Sequence, residues 1–303
     1  MSKIKLQGVY TAIVTPFSDD GSIDTAAFEQ LLDRQIAAGV DGIVPVGTTG
    51  ESATLDVDEH SRVIDMTIKR CKGRATVIAG TGANATEEAV RLTRHALEAG
   101  ADATLQVTPY YNKPSQKGLV AHFAAVADVG LPVVLYNVPG RSACEIAIDS
   151  IAELASHPNV VAVKEAGGCA KRVTQILDVC DLTVLSGDDE LTLPMMAGGA
   201  RGCISVASNV LPAAVAGMVH AVLDGNWPDG MARHHQLYPL FRDLFIDTNP
   251  IPVKAALAMM GWIKEIYRLP LVSLDAENKQ QLRDTLQSLG AFDAGQTAGG
   301  SAV

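Results

Sequence analysis

The chain has 303 residues, 48% of them hydrophobic, with a formal net charge of −10 and a pI near 5.1. No basic run exceeds two residues, which argues against nucleic acid and anionic membranes as partners; a local arginine can still hold an anionic small molecule. No stretch approaches the roughly 18 apolar residues of a membrane span, and the N-terminus lacks the apolar core of a secretory signal. The five cysteines (Cys71, Cys144, Cys169, Cys180, Cys203) are scattered, odd in number and without CxxC spacing. They read as free thiols in a reducing compartment. The adjacent pair His234-His235 would point apart on a helix and makes a poor metal site. A cytoplasmic, soluble protein with no metal or cofactor is expected.

Taken in chain order, apolar runs fall at 10–14, 42–46, 76–79, 103–107, 133–136, 160–163, 183–185 and 202–206. Segments such as 26–38, 89–99, 120–127 and 173–179 carry apolar residues at helical spacing between them. Eight strands alternating with helices predict a closed parallel (β/α)8 TIM barrel. The competitor is an open doubly wound sheet, which often has a Gly-rich phosphate loop after its first strand. Here that strand ends in Thr15-Pro16-Phe17. The helix at 212–223 would complete the barrel, and two further amphipathic stretches lie at 251–260 and 275–289. Asp275 or Ser273 could cap the latter. The expected division is a catalytic barrel over 1–224, a C-terminal helical extension over 225–290 and a disordered tail over 291–303.

Chemically able residues collect where these strands end, the face on which barrel enzymes place their sites. Lys164 closes the run Val160-Val161-Ala162-Val163 and precedes Glu165-Ala166-Gly167-Gly168. A lysine there has a buried stem and an amine at the mouth of a strand, where desolvation favours the neutral, nucleophilic form. The plainer alternative is a solvated or paired surface lysine. Gly47-Thr48-Thr49-Gly50-Glu51 offers two hydroxyls and successive N–H groups to a carboxylate, though an ordinary tight turn would look the same. Tyr136-Asn137-Val138-Pro139-Gly140-Arg141 places a phenol at a strand end and, five residues on, a guanidinium able to grip a carboxylate through two hydrogen bonds. Alone, Arg141 is equally a surface charge.

Together these motifs resemble the dihydrodipicolinate synthase family, within the superfamily that includes N-acetylneuraminate lyase. The resemblance runs from Gly8-Val9-Tyr10-Thr11-Ala12 to about residue 290 and includes 47–55, 108–114, 136–141, 164–166, 186–189 and 248–254. It implies that Lys164 forms an imine with pyruvate. Loss of a methyl proton then gives an enamine, which attacks L-aspartate-4-semialdehyde. Ring closure would release 4-hydroxy-tetrahydrodipicolinate, the first committed step of diaminopimelate and lysine biosynthesis. By the same resemblance Tyr136 is the acid/base, linked through Thr48 to Tyr111. Thr48 and Thr49 hold the pyruvate carboxylate, and Arg141 the carboxylate of the aldehyde. Ile204 presents a carbonyl to the lysine and Gly187 lies in the pocket wall. The tyrosine matching Tyr111 enters a neighbouring subunit's site, so a homotetramer built from dimers is implied. Feedback by L-lysine would use Ser52, Ala53, His60, Asn84, Glu88 and Tyr110, although Val57 stands where some inhibited members have histidine. Arg141 and Thr48-Thr49 favour the synthase branch over the sialic acid lyase branch. An aldolase acting on a keto-sugar acid, or a barrel that only senses a keto acid, remain the alternatives.

Overall fold

A computed structural model describes residues 4–292. The strands are β1 Gly8–Ala12, β2 Gly42–Val44, β3 Thr76–Gly80, β4 Ala103–Val107, β5 Val133–Asn137, β6 Val160–Glu165, β7 Thr183–Ser186 and β8 Gly202–Ser205. They pair in parallel in sequence order, and β1 also pairs with β8, so the sheet closes on itself. Between them run α1 Thr25–Ala37, α2 Val57–Cys71, α3 Thr86–Ala99, α4 Gln116–Ala127, the short α5 Pro139–Ser142, α6 Ile148–Ala155, α7 Lys171–Val179 and α8 Thr192–Ala197. After β8 come α9 Pro212–Leu223, α10 Trp227–Asp243, α11 Ile251–Met259 and α12 Ala276–Ser288. The closed eight-stranded barrel with its C-terminal helices is the architecture that the alternating runs predict.

Successive strand residues face opposite sides, and that alternation divides the core in two. Val133, Leu135, Val160 and Val163 pack outward against helix residues such as Phe123 and Ile151. Val134, Tyr136, Ala162, Leu185 and Ile204 fill the barrel interior. Lys164 follows Ala162 by two positions and so projects inward with Tyr136. Glu165 and Asn137 take the opposite parity and meet outside the barrel, where the Asn137 amide donates to the Glu165 carboxylate at 2.9 Å. Arg172 of α7 donates to the same carboxylate at 2.9 Å. This buried network ties the tips of β5 and β6 together.

Several strand boundaries differ from the apolar runs. β1 begins two residues earlier than its run, at Gly8, because that position closes the barrel against Gly202. A Cβ at Gly202 would lie 1.9 Å from the Gly8 carbonyl oxygen, so the seam needs glycine on β8. β2 stops at Val44, since Pro45 has no N–H to offer the ladder and Val46 turns into the left-handed region at φ 49°. Asp275 caps α12 by accepting from the Asn278 N–H at 2.8 Å. The N-cap of α3 is Ala85, which has no side-chain hydrogen bond to offer the first turn. The expected disordered tail also begins too early at 291. Ala291 is fully buried and Phe292 packs against the core; residues 293–303 lie outside the described residues. Among the described residues no helix is long and apolar enough to cross a membrane.

Candidate active site

The C-terminal strand ends open into a cavity of about 350 Å³ lined by Thr48, Thr49, Tyr136, Arg141, Lys164 and Gly187 among others. Lys164 is paired in register with Tyr136 on β5 and Leu185 on β7. Its side chain is only 6% exposed, and its Nζ lies 4.2 Å from the centre of the Tyr136 ring. The amine therefore sits inside the barrel mouth against the face of the phenol, not in bulk solvent. Gly187 permits this packing. A Cβ there would come within 2.8 Å of Lys164 Cε and 2.7 Å of the Ala166 Cβ.

Thr48 and Thr49 occupy a single 3₁₀ turn, Thr48–Gly50, directly after β2. Thr49 is buried, and its hydroxyl accepts from the Asn249 side-chain amide at 3.0 Å. Arg141 lies in α5 beyond the Tyr136 strand, where its guanidinium donates to the Asn249 carbonyl at 3.1 Å and otherwise faces the cavity opening. Ile204 is buried on β8 beneath the cavity and does not line it. Tyr111 stands apart: it is 90% exposed, has φ 73° and lines neither of the two cavities at this mouth. Within one chain the structure does not assemble the hydroxyl series Tyr136–Thr48–Tyr111.

Backbone strain concentrates in the same loops. Among the described residues, the non-glycine residues in the left-handed region are Val46, Glu51, Tyr111, Lys113 and Ala143. All five fall in the loops after β2, β4 and β5, which carry Thr48, Thr49, Tyr111 and Arg141. Strained residues gather where the surrounding structure fixes a loop for function.

Sequence reasoning left several residues of this mouth without a role. Asn249 touches both Thr49 and Arg141, whereas in the sequence 248–254 stands out only as a motif. Asp188 and Glu190 also line the cavity. Burial, reinforced by Asp189 and Glu190, raises the Asp188 carboxyl to about 6. Asp189 itself is buried and accepts the Val206 and Ala207 N–H groups at 2.9 and 2.8 Å, which fixes the exit of β8. Burial pushes its carboxyl upward, against those donors.

A second cavity of about 400 Å³ adjoins the first and shares Thr48, Tyr136 and Arg141 with it. Ser52, Ala53, His60, Glu88 and Tyr110 line it, as does Val57. Asn84 is not in its wall but donates to the Tyr110 carbonyl at 3.3 Å. Burial raises the Tyr110 phenol, with Glu88 adding to the effect. It also holds the His60 imidazole down at about 4, and that of His122, on α4 and hydrogen-bonded to Thr86 of α3, likewise at about 4.

Those histidines set an acid limit on stability. Their folded values lie below the ordinary 6.5, so on acidification the unfolded chain takes up protons first. The stabilisation is complete above pH 6.5 and is lost as pH falls from there to about 4. For a shift of this size the loss is at most about 3 kcal/mol per histidine. Urea midpoints at pH 7.5 and 4.5 check this, and His60→Gln should narrow the gap between them.

A parallel barrel with a lysine and a phenol side by side in its C-terminal mouth defines a barrel enzyme whose site is built around an inward amine. The matching family model, the dihydrodipicolinate synthetase family, covers residues 5–289, and the chain belongs to that family. A relative from Methanosphaerula palustris, a 4-hydroxy-tetrahydrodipicolinate synthase, is 48% identical over 93% of this chain and 99% of its own length. The chloride-inhibited dihydrodipicolinate synthase from Acinetobacter baumannii, solved with pyruvate, is 42% identical with a TM-score of 0.93, covering 95% of this chain and 100% of that one. The enzyme from Cyanidioschyzon merolae, solved with lysine bound, is 40% identical with a TM-score of 0.91, covering 94% of this chain and 98% of that one.

Proposed function

We propose that this chain is a lyase that condenses pyruvate with L-aspartate-4-semialdehyde to give 4-hydroxy-tetrahydrodipicolinate, in the route to diaminopimelate and lysine. The observation that carries the reading is the Lys164 amine inside the cavity, against the Tyr136 ring at 4.2 Å. The neutral amine attacks the keto carbon of pyruvate, and water leaves to form the imine. Removal of a methyl proton yields the enamine, whose carbon bonds to the aldehyde carbon while the new oxygen takes up a proton. The substrate's own amine then attacks the imine carbon and displaces Lys164, so the enzyme is regenerated.

Tyr136 serves the proton transfers, because a phenol both donates and accepts. The turn of Thr48 and Thr49 offers N–H and hydroxyl groups to the pyruvate carboxylate. Arg141, at the cavity opening, is placed to bind the carboxylate of the aldehyde. Tyr111, 90% exposed on a strained loop, fits a residue delivered to another copy of the chain. That delivery calls for at least a dimer; the homotetramer of paired dimers and the cytoplasmic location rest on the family resemblance.

A coupled assay with pyruvate and aspartate semialdehyde tests the activity. Borohydride reduction in the presence of pyruvate, followed by mass measurement, tests the covalent step; wild-type protein without a pyruvyl adduct on Lys164 would sink the proposal. L-Lysine is the effector that the second cavity suits: Glu88 offers a carboxylate to an ammonium group, and the Thr48, Tyr136 and Arg141 walls adjoin the catalytic cavity. Activity should fall as L-lysine is raised into the millimolar range, and a flat titration removes this assignment.

A further inference from the structure

The stretch 248–254, outside the barrel, reaches the catalytic mouth at three points. The Asn249 side chain donates to the Thr49 hydroxyl at 3.0 Å. The Asn249 carbonyl accepts from Arg141 at 3.1 Å. One turn further along α11, the Lys254 ammonium pairs directly with the Glu51 carboxylate, and both side chains are fully buried. The Phe17 ring lies 4.3 Å from that ammonium and the Tyr267 ring 5.3 Å. The Arg268 N–H approaches the second Glu51 oxygen at 3.4 Å.

A fully buried ion pair is a weak device for stability, because desolvation of two charges offsets their attraction. What such a pair does well is fix one arrangement among several. Glu51 sits at φ 55°, a backbone state that a non-glycine residue keeps only when its surroundings hold it. It directly follows the 3₁₀ turn that carries Thr48 and Thr49. Asn249 grips the turn at its middle, and the Lys254–Glu51 pair grips its end.

We propose that Asn249 and the buried Lys254–Glu51 pair are positioning residues through which the C-terminal helical region holds the Thr48-Thr49 turn in its carboxylate-binding geometry. This rests on the reading that the turn binds pyruvate. Geometric error at a binding turn is costly, because oriented N–H and hydroxyl donors act only at the right distance.

A double-mutant cycle tests the proposal. Asn249→Ala and Thr49→Val should each raise the KM for pyruvate about tenfold, with kcat falling by less. The KM for the aldehyde should move little, since the Asn249 backbone carbonyl still faces Arg141. The combined variant should be no worse than the poorer single, because both changes break one interaction. Glu51→Gln combined with Lys254→Met removes both buried charges at once and should reproduce the pyruvate KM rise. Additive effects in the cycle overturn the proposal, as does a kcat loss at unchanged pyruvate KM, which is the mark of general destabilisation. Should the charge-removing variant fail to fold, the Asn249/Thr49 cycle alone decides. The borohydride adduct on wild-type protein separates the two readings: without it the proposed function and this inference fall together, whereas an intact adduct with unaffected variants rejects only the positioning role.

Discussion

Lys164→Ala should lower turnover by at least about 10⁴-fold, because among the described residues no other lysine lines the cavity proposed to bind the keto acid. An amine held beside its target acts at an effective concentration far above any in solution, on the order of 10⁵ M or more for a well-oriented group. Removing it leaves the binding turn and Tyr136 in place but deletes the covalent route. Stability should change little. The lost lysine stem opens space in the barrel mouth, but that mouth is already a cavity of about 350 Å³, and the variant removes a polar amine that is only 6% exposed. A net effect within about 2 kcal/mol follows. Steady-state assay, thermal melting and mass measurement after borohydride treatment together check this. A variant that stays folded and still turns over at more than a few per cent would show that the amine is not the nucleophile.

Much of this site was legible because the barrel imposes one rule on every strand. Side chains alternate, so Tyr136 and Lys164 share the interior face once their strands are placed side by side. Eight apolar runs were enough to find those strands, even though β1 and β2 end earlier than their runs. Local backbone chemistry moved their bounds: Pro45 removes a ladder donor and stops β2, while Gly8 with Gly202 lets the seam close and starts β1 two residues early. Gly187 enters the pocket wall through the family resemblance alone, and its reason, room for the lysine stem, comes from the fold. Contacts between distant segments were not legible. Asn249 meets Thr49 across 200 positions and Lys254 meets Glu51 across 203, and no periodicity links a helix after β8 to a turn after β2. Tyr111 was placed outside its own chain only through the family resemblance. Nothing in its neighbouring residues distinguishes a phenol that reaches another subunit from one that is merely exposed.

Arg141→Ala should cut kcat/KM for aspartate semialdehyde about 100-fold while leaving the pyruvate adduct on Lys164 intact. The guanidinium stands at the cavity opening with one N–H on the Asn249 carbonyl, and its remaining donors are free to meet a carboxylate. A charge-assisted pair of hydrogen bonds of that kind contributes about 3 kcal/mol, which is the expected 100-fold. Arg141→Lys should recover only part of the loss, because an ammonium keeps the charge but not the planar fork. An aldehyde of similar length without the carboxylate gives the control. It should react poorly with the wild-type protein and lose little more on substitution, since the interaction is absent in both cases. The variant also withdraws a donor from Asn249, so a modest rise in pyruvate KM is expected alongside the main effect. If that rise equals the loss measured for the aldehyde, Arg141 acts on the turn of Thr48 and Thr49 and not on the second substrate. Unchanged kinetics for both substrates would leave it a surface charge.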